Sequence, residues 1–233
     1  MKLVKPLGKK SYDSIPHLPS SRLGEGDHHC SEGQARIATE KKRDKNDFVV
    51  VQEKLDGGNV GVALLNGEII AITRGGIFAK DSRFEQHHKF EEFVRKNEER
   101  FRKVINEGER ICGEWLFHQC GTKYDLPHEP FVVFDIFTTE NKRVNFQTFN
   151  ERVGEYFTKP FVISTGDPVS VEEALGVLGK YGQHGALEQV EGAVWRVERN
   201  GEVDFLCKFV RHDKIDGKYM KEEILNSWNG DFK

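Results

Sequence analysis

Glu53-Lys54-Leu55-Asp56-Gly57-Gly58-Asn59 is the stretch on which the reading of this 233-residue chain turns. It follows Asp47-Phe48-Val49-Val50-Val51-Gln52, a β-branched run that predicts a buried strand. It precedes Val60-Gly61-Val62-Ala63-Leu64-Leu65, a second apolar run, and then Asn66-Gly67, a strong hairpin signal. Lys54 therefore stands where one strand ends and the next begins, with two glycines close behind it. Glycines at such a junction are expected to allow a sharp turn and the close approach of a ligand. A lysine partly shielded from water there is expected to lose its proton near neutral pH and act as a nucleophile. Taken alone, Lys-x-Asp-Gly fits a strand-end surface lysine better, so the remaining chain must decide.

Outward from this junction, residues 68–73 predict a third strand ending at Arg74-Gly75-Gly76, again a basic residue against a glycine pair. Residues 86–107 predict one long helix, with Phe90, Phe93, Val94, Phe101, Val104 and Ile105 on a single face and Gly108 as its stop. Strands are predicted at 111–117 and 131–137, the latter nearly all apolar and so buried on both faces. Helices are expected at 150–157 and at 170–181, the second with a Ser170/Glu173 capping box and an end at Gly182. Strands return at 192–197 and 203–210 around Asn200-Gly201, and a short helix over 218–228 is expected to close the chain. Upstream, Ser31 and Gln34 have capping-box spacing for a helix over 31–42. Residues 1–30 read as an extended segment with turns at 16–19 and 24–26, and 31–233 as one domain. Strands and helices come in blocks. That argues for an α+β fold of mainly antiparallel sheets flanked by helices.

Composition narrows the classes without naming a function. The chain is 37% hydrophobic and 31% charged, and no apolar run approaches the roughly 20 residues of a membrane-spanning helix. Residues 1–6 lack a signal peptide's apolar core, and four cysteines at 30, 112, 120 and 207 form no disulfide-dense pattern, so a cytoplasmic location is expected. A net charge of −3 gives no global attraction to nucleic acid, so any such contact must be local. The cluster 41–45 is the most basic stretch near Lys54 and reads as a solvated loop. His28-His29-Cys30 offers metal-ligand chemistry, with Cys112, His118 and Cys120 as companions, but adjacent ligands lack zinc-loop spacing and packing is the better reading. No Gly-x-x-x-x-Gly-Lys-Ser/Thr occurs, so a P-loop is not indicated.

Several predicted strands carry a charged residue in or beside an apolar run: Lys54, Glu114, Asp135, Glu191 and Lys208. Each has a structural explanation by itself. Asp135 can cap a turn, Glu191 can pair with Arg196, and Lys208 can guard a strand edge. Together they fit an anion held in a cleft between sheets: lysines neutralise phosphates and carboxylates hold a divalent metal.

Their order resembles the covalent nucleotidyltransferase superfamily of DNA ligases, RNA ligases and mRNA capping enzymes. The matching elements are Lys54-Leu55-Asp56-Gly57, Arg74-Gly75, Gly113-Glu114, Phe134-Asp135-Ile136, Glu191-Gly192-Ala193-Val194 and Lys208. DNA ligases and capping enzymes usually place an arginine where Asn59 stands; Asn59 resembles the phage-type nick-sealing RNA ligases. The resemblance implies a nucleotide cleft between antiparallel sheets, ATP with Mg²⁺ (or Mn²⁺) as cofactors, and nicked or single-stranded RNA 5′-phosphate ends as substrate. It also implies roles. Lys54 would form a lysyl-AMP intermediate, and Glu53 and Phe134 would contact adenine. Asp56 belongs to the nucleotide-binding motif, and Glu114 would bond the ribose. Asn59 and Arg74 would hold phosphate or ribose. Glu191 would engage the metal and its waters, and Lys208 the α-phosphate.

Two departures qualify the resemblance. Such RNA ligases usually carry alternating lysines in the last motif, whereas Leu206 occupies the first of those positions, with Arg211 as a potential substitute. Only 25 residues (233 − 208) follow Lys208, too few for a C-terminal oligonucleotide-binding domain, which leaves room for a protein partner supplying RNA-binding surface. Two alternatives stay open: a non-sealing nucleic-acid end-binding or partner-recruiting protein, and a DNA ligase or capping-type nucleotidyltransferase.

Overall fold

The structure, a computed structural model, describes residues 3–214 and 224–228. Two four-stranded antiparallel sheets form its centre. The first contains β1 (Asp47–Lys54), β7 (Val162–Gly166), β8 (Gly192–Arg199) and β9 (Glu202–Val210) in the order β7-β1-β8-β9. The second contains β2 (Gly58–Leu65), β3 (Glu68–Thr73), β4 (Arg110–Trp115) and β6 (Phe131–Phe137) in the order β3-β2-β4-β6. A minor parallel pair joins β5 (Asp125–Leu126) to β10 (Ser227–Trp228). The α+β, mainly antiparallel fold is as read from the sequence.

Strand periodicity divides the side chains of the first sheet cleanly. Val49, Val51, Ala193, Trp195, Val197, Cys207 and Phe209 pack into a core with residues of α1 (Glu32–Thr39) and α5 (Val171–Leu178). The alternate residues Gln52, Lys54, Val194, Arg196, Leu206 and Lys208 face a cavity between the sheets. The second sheet turns Val60, Val62, Ile111, Trp115, Phe131 and Val133 toward α2 (Glu85–Lys96), α3 (Glu98–Val104) and α4 (Phe146–Val153). Each sheet thus buries its outer face under helices and gives its inner face to one cleft. Among the described residues no helix is long and apolar enough to cross a membrane.

One irregularity shapes the cleft. Cys112 pairs with Asp135 and Gly113 with Val133, so Phe134 is an extra residue on β6. A bulge of this kind re-aims side chains. Phe134 and Asp135, although adjacent, both line the cavity, while Val133 and Ile136 on either side stay in the helix-covered core. Six of its seven residues are buried, so the strand is buried on both faces as its apolar run implied, with Phe134 alone half-buried at the cavity.

Several boundaries differ from the sequence reading. The helix expected over 86–107 is two helices meeting at Asn97, whose backbone N–H bonds Val94 O (3.1 Å) and whose side chain bonds Phe93 O (2.8 Å). An asparagine that satisfies nearby carbonyls this way competes with helix continuation. The six predicted apolar residues are all buried nonetheless. The first helix has the Ser31/Gln34 capping box but stops at Thr39. α4 starts at Phe146 rather than 150 because the Asn145 side chain caps it, accepting from Thr148 N–H at 2.8 Å. α5 has its Ser170/Glu173 box but ends at Leu178, with Gly179 at φ +63°. β7 was not foreseen. Of the helix expected over 218–228, residues 218–223 lie outside the described residues, and Ser227 and Trp228 are β-strand.

The N-terminal residues bridge the two sheets. Ser11 N–H bonds Arg74 O (3.0 Å) just beyond β3. Pro16 O accepts from Lys208 N–H (3.0 Å), Leu18 N–H bonds Lys208 O (2.8 Å), and Arg22 N–H bonds Val210 O (3.0 Å), so residues 16–22 run along the outer side of β9.

Candidate active site

The cleft encloses a cavity of about 300 Å³ that gathers residues from both sheets. All nine candidate residues line it: Glu53, Lys54, Asp56, Asn59, Arg74, Glu114, Phe134, Glu191 and Lys208. Residues up to 155 positions apart in sequence (208 − 53) meet here because β1, β8 and β9 are neighbours in one sheet and β2, β4 and β6 in the other.

Lys54 ends β1, paired across the ladder with Gly192. Its Nζ donates to Glu191 Oε2 at 2.6 Å and lies 3.3 Å from Leu55 O. Burial lowers the lysine pKa, but the charges of Glu191 and Glu114 more than offset it, and the net position is above the ordinary lysine value. This corrects the expectation of a lysine deprotonated by its surroundings: shielding from water is present, but two carboxylates keep the proton on. Glu114 is itself pushed up to about 7, chiefly by burial, and accepts from Gly57 N–H at 3.0 Å. Glu191 is likewise raised by burial, against the pull of Lys54.

The glycines serve protein packing rather than a turn. Neither Gly57 nor Gly58 takes a positive φ. A Cβ on Gly57 would sit 2.6 Å from Trp115 O and 2.8 Å from Leu116 Cδ2, so only glycine lets the loop after Lys54 lie against β4. That approach is what brings Gly57 N–H to Glu114.

Around this centre, Asp56 is gripped by Lys214 Nζ and Thr122 N–H, while its own N–H bonds the Tyr124 hydroxyl at 3.1 Å. Asn59 lies opposite Glu114, and its Oδ1 is buried with no hydrogen-bond partner. Arg74 is exposed and bonds Ser14 Oγ at 2.9 Å. Phe134 is half-buried, its ring in edge contact with Tyr12 (centroids 5.1 Å apart). Lys208 Nζ lies 3.9 Å from Asp27 Oδ1, and burial together with the charge of Lys54 holds its pKa below the ordinary value.

Glu53 behaves differently from its neighbours. Its N–H is engaged by Phe161 O (2.9 Å) and its carboxylate accepts from Gln183 N–H (3.0 Å), with Oε1 unpartnered. Burial raises its pKa from 4.5 to about 7. A buried acid whose folded pKa exceeds its unfolded one favours the folded state fully below pH 4.5 and loses that contribution as pH rises toward 7. Glu53→Gln removes this loss. Its unfolding free energy relative to wild type is expected to rise by up to roughly 3 kcal/mol between pH 4.5 and 8. Urea titrations at several pH values check this, and a pH-independent difference would mean that the carboxyl is not desolvated.

Asp135 and Arg196 do not take the roles considered for them. Asp135 neither caps a turn nor joins the carboxylates around Lys54. It is buried and accepts from Arg196 (two contacts of 2.8 Å), Arg143 Nε (3.0 Å) and the Tyr12 hydroxyl (2.7 Å). Arg196 pairs with Asp135 and Glu198, not with Glu191. Leu206 lines the cavity where a lysine was expected. Arg211 does not replace it: its guanidinium is bound to Val190 O, Gln189 O and Asp213. Cys30 is buried in the core beside Cys207, and Cys112 Sγ lies 3.6 Å from Ser11 Oγ. Among the described residues no three or more His, Cys, Asp or Glu side chains are grouped to hold a metal.

Sequence reasoning missed Tyr12, Asp27, Gln52 and Lys214. The N-terminal residues carry no periodic signal, and Lys214 follows β9 in a stretch with no apolar pattern.

Comparison with known proteins places these observations. A family model described as RNA ligase matches residues 47–210, from the start of β1 to the end of β9. No curated protein matches. Among solved structures, an apo mutant of Naegleria gruberi RNA ligase is similar with a TM-score of 0.54 and 14% identity, over 89% of this chain and 60% of that one. A Naegleria gruberi RNA ligase mutant with ATP and Mn gives 0.53 and 16%, over 76% and 53%. An archaeal ATP-dependent RNA ligase is 24% identical over 70% of this chain and 42% of its own, with a TM-score of 0.43. This chain thus spans about half the length of these structures. At such identities the two Naegleria gruberi structures speak for the fold alone, while the family match covers every strand of both central sheets, and with them the lysine–carboxylate centre of the cleft: the chain belongs to the RNA ligase family.

Proposed function

We propose that this chain is an ATP-dependent RNA ligase that works through a covalent lysyl-AMP. The observation that carries the reading is the placement of Lys54 Nζ 2.6 Å from Glu191, at the floor of one cavity shared with Glu114, Phe134 and Lys208.

In this reading Lys54 passes its proton to Glu191, the carboxylate 2.6 Å from Nζ, and attacks the α-phosphate of ATP. The N–P bond forms, the bond to the β-phosphate breaks, and pyrophosphate leaves. An oxygen of an RNA 5′-phosphate then attacks the same phosphorus, the N–P bond breaks and the amine regains a proton. A 3′-hydroxyl finally displaces AMP, forming the phosphodiester. A nitrogen nucleophile suits this sequence, because the amine leaves readily once protonated. Lys208 neutralises charge building on the α-phosphate, and Arg74 and Asn59 hold phosphate or ribose. Phe134 offers an aromatic face to the base, and Glu114 an acceptor for the ribose. The unpartnered Asn59 Oδ1 fits a hydroxyl donor.

A divalent metal fits the donor set in a restricted way. Glu191 offers one carboxylate beside the reacting amine, and Mg²⁺ commonly takes one or two protein carboxylates with phosphate oxygens and waters completing its shell. Bound there, Mg²⁺ or Mn²⁺ supplies positive charge at the phosphates and competes with Lys54 for Glu191.

The test is incubation of purified protein with Mg²⁺ and α-labelled ATP or GTP, followed by a denaturing gel. Acid-labile, base-stable label from ATP is expected. Label from GTP alone favours a capping-type reaction, against which Asn59 counts. No label from AMP-free protein favours a non-sealing RNA-end-binding role, the reading to which Leu206 lends weight. Natural substrate, RNA over DNA preference and any protein partner supplying RNA-binding surface belong to the same proposal.

A further inference from the structure

Lys208 has a partner from outside the central sheets. The N-terminal run bonded along β9 leads to a turn in which Asp27 N–H bonds Gly24 O (3.2 Å) and Gly24 N–H bonds Asp27 Oδ2 (3.1 Å). This places Asp27 Oδ1 3.9 Å from Lys208 Nζ, with the lysine side chain 16% and the aspartate side chain 26% exposed. His17 backs the carboxylate. It is buried, its Nε2 lies 3.1 Å from Asp27 Oδ2, and its Nδ1 lies 2.7 Å from Ser21 Oγ. Ser21 Oγ accepts Val210 N–H at 2.8 Å, and its hydroxyl also reaches Arg22 O at 3.2 Å and Val210 O at 3.5 Å, which ties the His17 ring to the β9 edge. Burial and the charge of Lys208 push the His17 pKa down to about 4, so the ring is neutral near pH 7.

We propose that Asp27, backed by His17 and Ser21, is a positioning residue for Lys208: it holds Nζ toward the α-phosphate position and serves as its counter-ion until phosphate arrives. The inference rests on the ligase reading given above. Lys208 needs such an anion because Lys54 and Arg74, both cationic, act on it from the first sheet and from the end of β3, with Glu191 and Asp27 acting in opposition. With Leu206 in the preceding inward position, no second lysine shares the phosphate from β9. The aim of the single ammonium therefore matters more.

Asp27→Asn keeps the shape and the acceptor for Gly24 but removes the charge. At saturating ATP, lysyl-AMP formation is expected to slow about tenfold, because Lys208 is no longer held in register with the phosphate. Affinity for α,β-methylene-ATP, which cannot transfer AMP, is expected to tighten about threefold, because a competing carboxylate is gone. Both effects should vanish in a Lys208→Ala background, and the melting temperature should stay near wild type. A merely structural role would instead weaken binding and rate together with stability. Unchanged rate, unchanged affinity, or effects that add to those of Lys208→Ala would each overturn the proposal. Failure of the ligase reading is distinguishable: wild type would then bind the analogue and form no adduct, and the affinity change with its Lys208 dependence would decide the role of Asp27.

Discussion

Lys54→Ala is expected to reduce label transfer from ATP to the protein by at least about 10⁴-fold, the scale on which removal of an enzyme's nucleophile acts. The ion pair with Glu191 complicates this variant, because Ala removes a charge as well as an amine. Lys54→Arg separates the two. A guanidinium keeps the positive charge beside Glu191 and Glu114 but is never deprotonated, so it cannot attack phosphorus. The expected result is an Arg variant that folds, binds ATP and takes no label. Label retained in either variant would place the nucleophile elsewhere. Retained fold with lost ATP binding in both would mean that Lys54 binds the phosphates without reacting.

Asp135→Ala is expected to cost about 3–5 kcal/mol of stability in urea unfolding, the range seen when one partner of a buried ion pair is removed. The size follows from what is left behind. The Arg196 side chain is only 4% exposed, and its guanidinium would lose both contacts to the carboxylate, while Arg143 and the Tyr12 hydroxyl would lose theirs. The network joins β6 to β8 and to the N-terminal segment, so its loss should loosen the two walls of the cleft relative to each other. A change below about 1 kcal/mol would mean that water reaches the arginines as readily as the carboxylate does.

How much was legible in the sequence depended on how local each signal was. The strands 47–54, 68–73 and 131–137 could be read because alternation and β-branching are properties of adjacent residues. Lys54, Glu114, Glu191 and Lys208 could be read because each interrupts such a run with a charge. Asn97 could not be recognised as a helix break, since its side-chain bond to Phe93 O is one choice among several that asparagine has within a helix. The bulge at Phe134 was equally hidden: the apolar run looks the same whether its register slips or not, and only the pairing with Cys112 and Gly113 shows the slip. Asp135 was legible as a charge inside an apolar run, but its partners lie in the N-terminal segment and after β6, at distances in sequence that no spacing rule spans. The protonation of Lys54 failed for a related reason. Burial can be read from neighbours in sequence, whereas the offsetting carboxylates arrive from β4 and from the approach to β8.

The N-terminal run along β9 has a consequence for the chain's behaviour toward other copies of itself. β9 is the last strand of its sheet, and its backbone at Lys208 and Val210 is bonded by Pro16, Leu18 and Arg22. An uncovered edge of this kind is a template on which another chain can add a strand, and the 205–210 stretch is rich in apolar residues. The same fifteen or so residues that bring Tyr12 to the cleft and Asp27 to Lys208 therefore also keep the sheet from growing by intermolecular pairing. A chain shortened past Arg22 would be prone to aggregate through β9 before any loss of chemistry could be measured.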